Sequence, residues 1–234
     1  MRVLAFGAHP DDLEILCGGT LAKYALRGDQ VTMAVATDGT KGSDKLSAEE
    51  ISAVRHQEAL ESAAVIGAEL IWMGIEDQFI VDSVETRKKF IDVIRTVKPD
   101  VILAHYPDDY YNADHRLCGV IVTDVGIMVT QPNLKTMHPA MDFIPQQFFM
   151  DTLAGVRCQP EDYVDITQTI KVKKEMLSKH KSQAGWLQAQ YNMSPLEFVD
   201  IVARFRGIQV GFPFAEAFTQ VKAWPRMRAE KLLP

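Results

Sequence analysis

Short, almost uninterrupted apolar runs recur along the first half of the chain. They cover residues 3–8, 31–37, 70–73 and 101–105. Strands of a parallel sheet are buried on both faces, so they read as continuous apolar runs rather than as an alternation of apolar and polar residues. The four runs therefore predict four strands of a buried parallel sheet.

Segments with helical periodicity separate these runs. Ser47 and Glu50 form the pattern of a capping box, which predicts the start of a helix that ends near Gly67. Residues 84–97 predict another helix, because their apolar positions recur at helical spacing. An earlier helix is predicted to stop before Gly28, a typical C-terminal signal. The apolar stripe of that earlier helix consists of Leu13, Leu16, Cys17, Leu21 and Tyr24.

The second half of the chain is less regular. Residues 147–150 and 163–166 have the character of strands, and residues 167–180 and 194–205 that of helices. Strands that alternate with helices predict a layered α/β fold with right-handed crossovers. Because no internal repeat or linker divides the chain, residues 1–234 are expected to form a single domain.

The composition is that of an ordinary globular protein, with 47% hydrophobic and 24% charged residues among 234. Acidic residues outnumber Lys and Arg by 31 to 25, and no dense basic stripe is present, so we expect no nucleic-acid partner. No apolar run approaches the ~20 residues of a membrane span, and the first residues lack the long apolar region of a signal peptide. Three cysteines without CxxC spacing suit a reducing compartment. We expect a cytoplasmic protein with no membrane partner.

Polar clusters follow each of the four predicted strands. They lie at residues 9–12, 37–39, 74–77 and 106–115. In an open α/β sheet, ligands bind beyond the carboxyl ends of the strands. Four clusters from distant parts of the chain are therefore expected to meet at one edge of the sheet.

The first cluster has the residue types of a metal site. His9 and Asp12 lie three residues apart across a strand-to-helix turn, and the segment with Asp114 and His115 is the best source of a third ligand. Asp11 would then be free to take a proton from an attacking water. Each residue also has a simpler interpretation, since an Asp pair before a helix is usually a cap and a single His at a strand end is usually only hydrogen-bonded. Their convergence favours the metal site.

The opening motifs resemble a known family. Ala8-His9-Pro10-Asp11-Asp12, followed by Gly18-Gly19-Thr20-Leu21-Ala22, is similar to the start of the PIG-L/LmbE-type N-acetylglucosaminyl deacetylases. The other motifs of that family are matched in order by Thr37-Asp38-Gly39 with Gly42-Ser43, Arg55-x-x-Glu58, Gly74-Ile75-Glu76-Asp77, Asp114-His115-Arg116, His180-x-Ser182-Gln183 and Ala215-Glu216-Ala217-Phe218. The resemblance covers nearly the whole chain.

The resemblance implies a Rossmann-like three-layer α/β sandwich with a mostly parallel sheet. It implies Zn²⁺-dependent hydrolysis of an acetamido group on an N-acetylglucosamine-type sugar, giving a free amine and acetate. The residues that match the family's site are the zinc ligands His9, Asp12 and His115, the general base Asp11, the substrate contacts Arg55 and Asp77, and His180 as a further pocket residue.

One motif departs from the family. Where the family reads His-Pro-Asp-His, this chain has Asn112, Ala113, Asp114 and His115. We count Asn112 and Asp114 with Asp11 as candidate catalytic residues, although an amide cannot deliver a proton at neutral pH. Three alternatives follow: Asp11 carries the proton itself, another group replaces the imidazole, or the protein is weakly active or silent. Candidates for a replacement group are His180, Tyr110 and Tyr111.

Two other functions compete with deacetylation. Asn112 allows a metal-binding but non-catalytic sugar or ligand binder on the same fold. A nucleotide-binding module is disfavoured, because the GxGxxG pattern does not follow the first strand. Substrate specificity is expected to lie in variable loops such as residues 131–145. The apolar segment 205–218 suits either the core or the interface of a homo-oligomer.

Overall fold

Seven strands form one sheet in the computed structural model, which describes residues 1–227, 230 and 232–234. The strands are β1 (Arg2–Gly7), β2 (Gln30–Thr37), β3 (Glu69–Ile75), β4 (Val101–Ala104), β5 (Gln146–Met150), β6 (Asp162–Asp165) and β7 (Ala215–Gln220). The helices are α1 (Asp12–Leu26), α2 (Ala48–Val65), α3 (Val84–Val97), α4 (Ala113–Met128), α5 (Ile170–Leu177), α6 (Lys181–Tyr191) and α7 (Pro195–Val210). No helix of the described chain is long and apolar enough to span a bilayer.

The strand order is β3-β2-β1-β4-β5-β7-β6. The first five strands of this order pair in parallel, and β7 runs antiparallel to both of its neighbours. The order reverses direction between β1 and β4, which makes that point the topological switch of the sheet. A crevice is expected beyond the carboxyl ends of these two strands, where the first and fourth polar clusters lie.

The core occupies both faces of the sheet. On β1, Val3 and Ala5 pack with α1, α5 and α7, whereas Leu4 and Phe6 pack with α3 and α4. All four side chains are fully buried, which explains why the strand reads as an uninterrupted apolar run. The mostly parallel sheet between two helical layers is the predicted three-layer α/β sandwich.

Local sequence signals set the ends of two of the predicted helices. The Ser47 hydroxyl accepts the Glu50 N–H at 3.3 Å and the Glu50 carboxylate accepts the Ser47 N–H at 2.9 Å, so the predicted capping box is present. Helix α2 stops at Val65, and Gly67 follows with a φ of 66°. Helix α3 has the predicted bounds.

The second half differs from the predictions in three places. The helix expected over residues 167–180 covers only Ile170–Leu177, and a separate helix, α6, follows it. Helix α4, which was not predicted, spans Ala113–Met128. Strand β7 was recognised only as a motif, because its pairing with two strands far away in sequence leaves no local signal.

Glu216 on β7 connects the last strand to the first helix. Its carboxylate oxygens accept the N–H groups of Gly19 and Thr20 at 2.9 and 2.7 Å. Lys173 on α5 pairs with the same carboxylate at 2.5 Å, and both charged side chains are buried. A Cβ on Gly19 would lie 2.8 Å from Ile166, so the Gly-Gly step in α1 permits this close packing.

Candidate active site

The turn between β1 and α1 presents three of the predicted site residues. Asp11 adopts φ 118° and ψ −21°, a conformation that costs a residue with a Cβ about 1–3 kcal/mol. The turn is held by the Arg55 guanidinium, which donates to the Pro10 carbonyl at 2.8 Å, and by the Asp12 carboxylate, which accepts the His9 N–H at 2.7 Å. Although Asp11 occupies the N-cap position, its side chain makes no capping bond and lines a cavity instead.

Three ligand atoms, from the turn after β1, from α1 and from α4, face one another at this edge. His9 Nδ1 lies 3.2 Å from His115 Nε2, and His115 Nε2 lies 3.2 Å from Asp12 Oδ1. Two ligands about 2.1 Å from a tetrahedral zinc ion stand roughly 3.4 Å apart. The predicted ligand set of His9, Asp12 and His115 therefore fits a single metal ion by spacing, by burial and by donor type.

Carboxylates fix the orientation of both imidazoles. Asp109 Oδ2 lies 3.0 Å from His115 Nδ1, which leaves Nε2 for a metal. Asp77 Oδ1 lies 3.3 Å and Asp114 Oδ2 lies 3.5 Å from His9 Nε2, which leaves Nδ1 for the same ion. Such outer carboxylates select the imidazole tautomer and raise the basicity of the ligand.

His105 packs beneath this cluster. Its ring stacks on that of His115 with centroids 4.2 Å apart, and its Nε2 lies 3.0 Å from Asp12 Oδ2. The side chain is fully buried, and burial lowers the pKa of the imidazole. His105 therefore contacts a candidate metal ligand from the core side.

The ligand cluster has strongly perturbed pKa values. Burial lowers the pKa of His115, but the Asp12 and Asp109 carboxylates outweigh it and raise that pKa to about 9. Burial also opposes the charged form of His9, whose carboxylate neighbours nevertheless hold its pKa well above the usual range. Positive charge is thus favoured among these side chains, and a metal cation would have to displace protons to bind.

The pKa of Asp11 is shifted in the opposite direction to that of its neighbour Asp12. Burial raises the pKa of the Asp11 carboxyl to about 6, the Arg55 guanidinium opposes that rise, and the Asp12 charge adds to it. Arg55 Nη2 lies 3.7 Å from Asp11 Oδ1, and Arg55 Nη1 lies 3.9 Å from Asp77 Oδ2. Asp11 is therefore poised to exchange a proton near neutral pH, as a general base requires.

Three other predicted residues contact elements that surround the cluster. Asn112 is the N-cap of α4, where its Oδ1 accepts the Asp114 N–H at 2.8 Å. Asp114 is 1% exposed and accepts the N–H groups of Gln78 and Ile80, so it fixes the loop after β3. His180 is buried, lies 3.1 Å from a Glu14 oxygen and is not among the residues that line the cavity.

Sequence reasoning missed two residues of this site. Asp109 orients His115, and the available signal was an acidic residue six positions before a predicted ligand. Gln78 lines the cavity with its amide nitrogen 3.5 Å from His9 Nε2, and its φ of 69° has no signature in the residue type. Asp109 contacts the predicted ligand His115, and Gln78 lies beside the predicted ligand His9.

The cavity above the cluster has a volume of about 720 Å³. His9, Asp11, Asp12, Arg55 and His115 lie at its inner, buried end. The exposed lining residues Tyr110, Tyr111, Lys41, Ala154, Val156 and Arg157 lie towards the opening, and the lining also includes Asn112, Thr152, Leu153, Gln183 and Phe198. The expected specificity loop at residues 131–145 contributes no lining residue within the described chain, and the loop after β5 takes that place.

The fold and the site together define a Rossmann-like α/β protein with a His/Asp site suited to a metal ion at the topological switch of its sheet. A family model described as PIG-L, GlcNAc-PI de-N-acetylase, matches residues 4–125. The chain belongs to this family.

Known proteins similar to this chain include enzymes of two kinds. A diacetylchitobiose deacetylase of Thermococcus kodakarensis is 28% identical over 187 residues, which cover 78% of this chain and 70% of the relative. A 4-oxalmesaconate hydratase of Pseudomonas putida is 24% identical over 173 residues, which cover 70% of this chain and 67% of the relative. The structure of the N,N′-diacetylchitobiose deacetylase of Pyrococcus horikoshii with its inhibitor matches with a TM-score of 0.83 and 27% identity, covering 94% of this chain and 83% of that one. Homology thus supports deacetylase activity.

Proposed function

We propose that residues 1–234 act as one deacetylase domain that hydrolyses the acetamido group of an N-acetylglucosamine-type sugar or conjugate. The observation that carries this proposal is the spacing of three donor atoms around one point, with the Asp11 carboxylate in the same cavity. A deacetylase needs these two elements, a site for a Lewis-acidic metal and a base for water.

In this proposal His9, Asp12 and His115 hold a zinc ion. Two imidazoles and one carboxylate form a ligand set typical of catalytic zinc, which leaves a coordination position open. A zinc ion supplies a lowered water pKa and polarisation of the amide carbonyl. Asp109 and Asp77 keep the two imidazoles in the required tautomers, as their distances of 3.0 and 3.3 Å indicate.

Asp11 is the general base. With a pKa of about 6 its carboxylate is mostly ionised at neutral pH and accepts the proton of the attacking water. Arg55, 3.7 Å away, keeps that carboxylate from being protonated too readily. Inside a buried site the protonated Asp11 retains its proton until a stronger base appears.

That stronger base is the departing amine. Asn112 cannot supply a proton, and its side-chain oxygen is engaged at the start of α4. His180 does not line the cavity, so it does not reach the leaving group directly.

Tyr111 lines the cavity, but burial and the Asp12 and Asp11 carboxylates raise its pKa and make it a weaker acid, and Tyr110 is largely exposed. We therefore favour Asp11 as the group that returns the proton, acting first as base and then as acid. The C–N bond breaks as the Asp11 proton reaches nitrogen.

The test is Asp11→Asn in protein loaded with zinc. Asparagine tolerates positive φ, so the fold and the metal content should be retained while amine release falls by about 10²–10⁴-fold. Amine release is measured on a panel of N-acetylglucosamine conjugates, and metal content by elemental analysis. Asp44→Asn, at an exposed aspartate outside the cavity, is the matched control. Unchanged turnover in Asp11→Asn would exclude Asp11 as the base.

A second candidate is a metal-binding protein of this fold that does not deacetylate. Two observations support it: Asn112 stands in place of a titratable residue, and a hydratase is among the relatives. Wild-type protein that binds zinc stoichiometrically but releases no acetate from the whole panel would favour this candidate over the deacetylase.

A further inference from the structure

The cavity changes character along the sheet. The candidate metal ligands and Asp11 follow β1 and β4, which are neighbours near the middle of the strand order. On the side of β2 and β3 the cavity is lined by the charged groups of Arg55 and Asp77. On the side of β5 and β7 it is lined by Leu153, from the turn after β5, and by Phe198, from the helix that packs on β7. The candidate metal site therefore has a polar side and an apolar side.

Ile15 connects the apolar side to the candidate metal site. Its N–H donates to the Asp11 carbonyl at 3.0 Å, so Ile15 lies one helical turn after Asp11 and lines the same cavity. We use the name apolar wall for Ile15, Leu153 and Phe198, which come from three separate elements. All three side chains are half-buried, and all three also line a second, smaller cavity behind the first. They are therefore neighbours that form a continuous surface beside Asp11.

The apolar wall is closed from behind. The smaller cavity has a volume of only about 20 Å³, which is room for about one water molecule. Two buried ion pairs line it, Lys173 with Glu216 and Arg206 with Asp151. A ligand chain therefore lies along the apolar wall and does not pass through it. A carboxylate at the end of such a chain would have to compete with the acidic partners of these two cations.

An N-acyl sugar has the same two-sided character. One side of its amide carries a ring with hydroxyl groups, which need hydrogen-bond partners when they are buried. The other side carries the acyl group, which is apolar. When the amide lies at the metal site, the ring finds its partners on the side of Arg55 and Asp77, and the acyl group then faces the apolar wall. The single methyl of an acetyl group is too small to cover side chains from three elements.

We propose that the apolar wall binds the acyl group of the substrate, and that this protein also hydrolyses amides of short, uncharged acyl groups longer than acetyl, such as butyryl. This proposal rests on the proposed function, because it uses the same metal site and Asp11. The hydroxyl of water is added to the acyl carbon, the C–N bond breaks, and the proton of that water reaches nitrogen through Asp11. Butyrate and a free amine are the products. Each methylene group that moves from water onto the wall should raise kcat/KM by about fourfold.

The experiment compares kcat/KM for the N-acetyl, N-propionyl, N-butyryl and N-succinyl derivatives of glucosamine. All four release the same amine, so one assay of free glucosamine serves for the whole series. We expect kcat/KM for the butyryl derivative to be at least fivefold above that for the acetyl derivative. The succinyl group has the same number of carbons as butyryl but ends in a carboxylate, and its value should be at least tenfold below that for butyryl. Values that are equal, or that fall from acetyl to butyryl, would overturn the proposal.

Two variants locate the acyl group on the apolar wall. Phe198→Ala removes the largest side chain of the wall and should lower the butyryl-to-acetyl ratio of kcat/KM by about fivefold, mainly through a higher KM for the butyryl derivative. Leu153→Ala should lower the same ratio by about threefold. Phe205→Ala is the matched control, because Phe205 lies on the same helix, is 49% exposed and is not among the residues that line either cavity. The control should keep the ratio of the wild type.

The variant results separate an acyl-binding wall from a wall that contacts the sugar. An equal loss of kcat/KM on all four substrates in Phe198→Ala would place the sugar ring on the wall and contradict the proposal, as would an unchanged ratio. If Phe198→Ala fails to fold, Leu153→Ala decides alone.

A binding measurement adds a readout that does not depend on turnover. The dissociation constants of acetate and butyrate for the zinc-loaded protein are measured by calorimetry. We expect butyrate to bind at least fivefold more tightly than acetate to the wild type, and with nearly equal affinity to Phe198→Ala. Equal affinities in the wild type would contradict the proposal. Release of glucosamine from none of the four derivatives refutes the proposed function, whereas release from the acetyl derivative alone refutes only the acyl-binding wall.

Discussion

Asp109→Asn removes one negative charge from the outer side of the candidate metal site without changing its shape. Asp109 has two tasks in the structure: Oδ2 lies 3.0 Å from His115 Nδ1, and Oδ1 accepts the Tyr111 N–H at 2.7 Å. Both partners are donors when a metal occupies His115 Nε2. An asparagine offers only one acceptor oxygen, so one of the two donors must then face an amide NH₂ group.

The size of the effect follows from what is lost. A hydrogen bond to a charged group contributes about 1.5–3 kcal/mol, and a carboxylate that orients a metal-binding imidazole changes metal affinity by about 10–100-fold. These two figures agree, since tenfold corresponds to about 1.4 kcal/mol. We therefore expect the zinc dissociation constant to rise by about 10–100-fold in Asp109→Asn, with the overall fold retained.

The assay is a zinc titration against a chromophoric chelator of known affinity. Asp108→Asn is the matched control, because Asp108 is the preceding residue, has a side chain that is 50% exposed and pairs with Arg157 instead of a ligand. We expect the control to bind zinc as the wild type does. Equal affinities for Asp109→Asn and the wild type would refute the assignment of Asp109 as the residue that orients His115.

Three further predictions concern stability and the departing motif. Asn112→Ala should cost about 1 kcal/mol of unfolding free energy through the lost helix cap, and should lower kcat by less than tenfold; a hundredfold loss would place Asn112 in the chemistry. Gly19→Ala should destabilise the protein by about 1–3 kcal/mol in urea unfolding, because the new Cβ meets Ile166. Gly185→Ala, in α6, is the control: its Cβ would have free space, so the substitution should be neutral or stabilising. Arg95→Met should lower the free energy of unfolding by about 3 kcal/mol or more, because it leaves buried carbonyl groups after α4 without their donor. An unchanged midpoint of urea unfolding would contradict this prediction.

The sequence predicted the first half of the fold well because its elements are local. Continuous apolar runs, the Ser47 capping box and the glycine at position 67 each act within a few residues of the chain. The edge of the sheet that carries the site followed from the rule that ligands bind beyond the carboxyl ends of parallel strands, since His9 and the segment with His115 follow the first and fourth predicted strands. These parts needed no knowledge of side-chain contacts.

The rest depended on contacts that are distant along the chain. The Arg206 guanidinium contacts Asp151 and the carbonyl of Gly155, some 50 residues away, and nothing near residue 155 signals this pairing. Asn112 was a candidate catalytic residue from its place in the motif, and its second contact, as the N-cap of α4, could not be predicted because that helix was not. The cytoplasmic location and a homo-oligomeric state stay predictions.

The contact between Glu216 and the first helix has a consequence for how the protein becomes active during synthesis. The amide groups of Gly19 and Thr20 find their carboxylate partner almost 200 residues later, in the last strand of the sheet. Until that strand leaves the ribosome, the helix that begins with Asp12 lacks the anchor that fixes it against the sheet. Contacts of such sequence separation form late and slow the folding of a domain. A nascent chain that already carries all three candidate metal ligands is therefore expected to assemble its site only after β7 has been added, so a fragment ending at residue 125 should bind metal far more weakly than the whole chain.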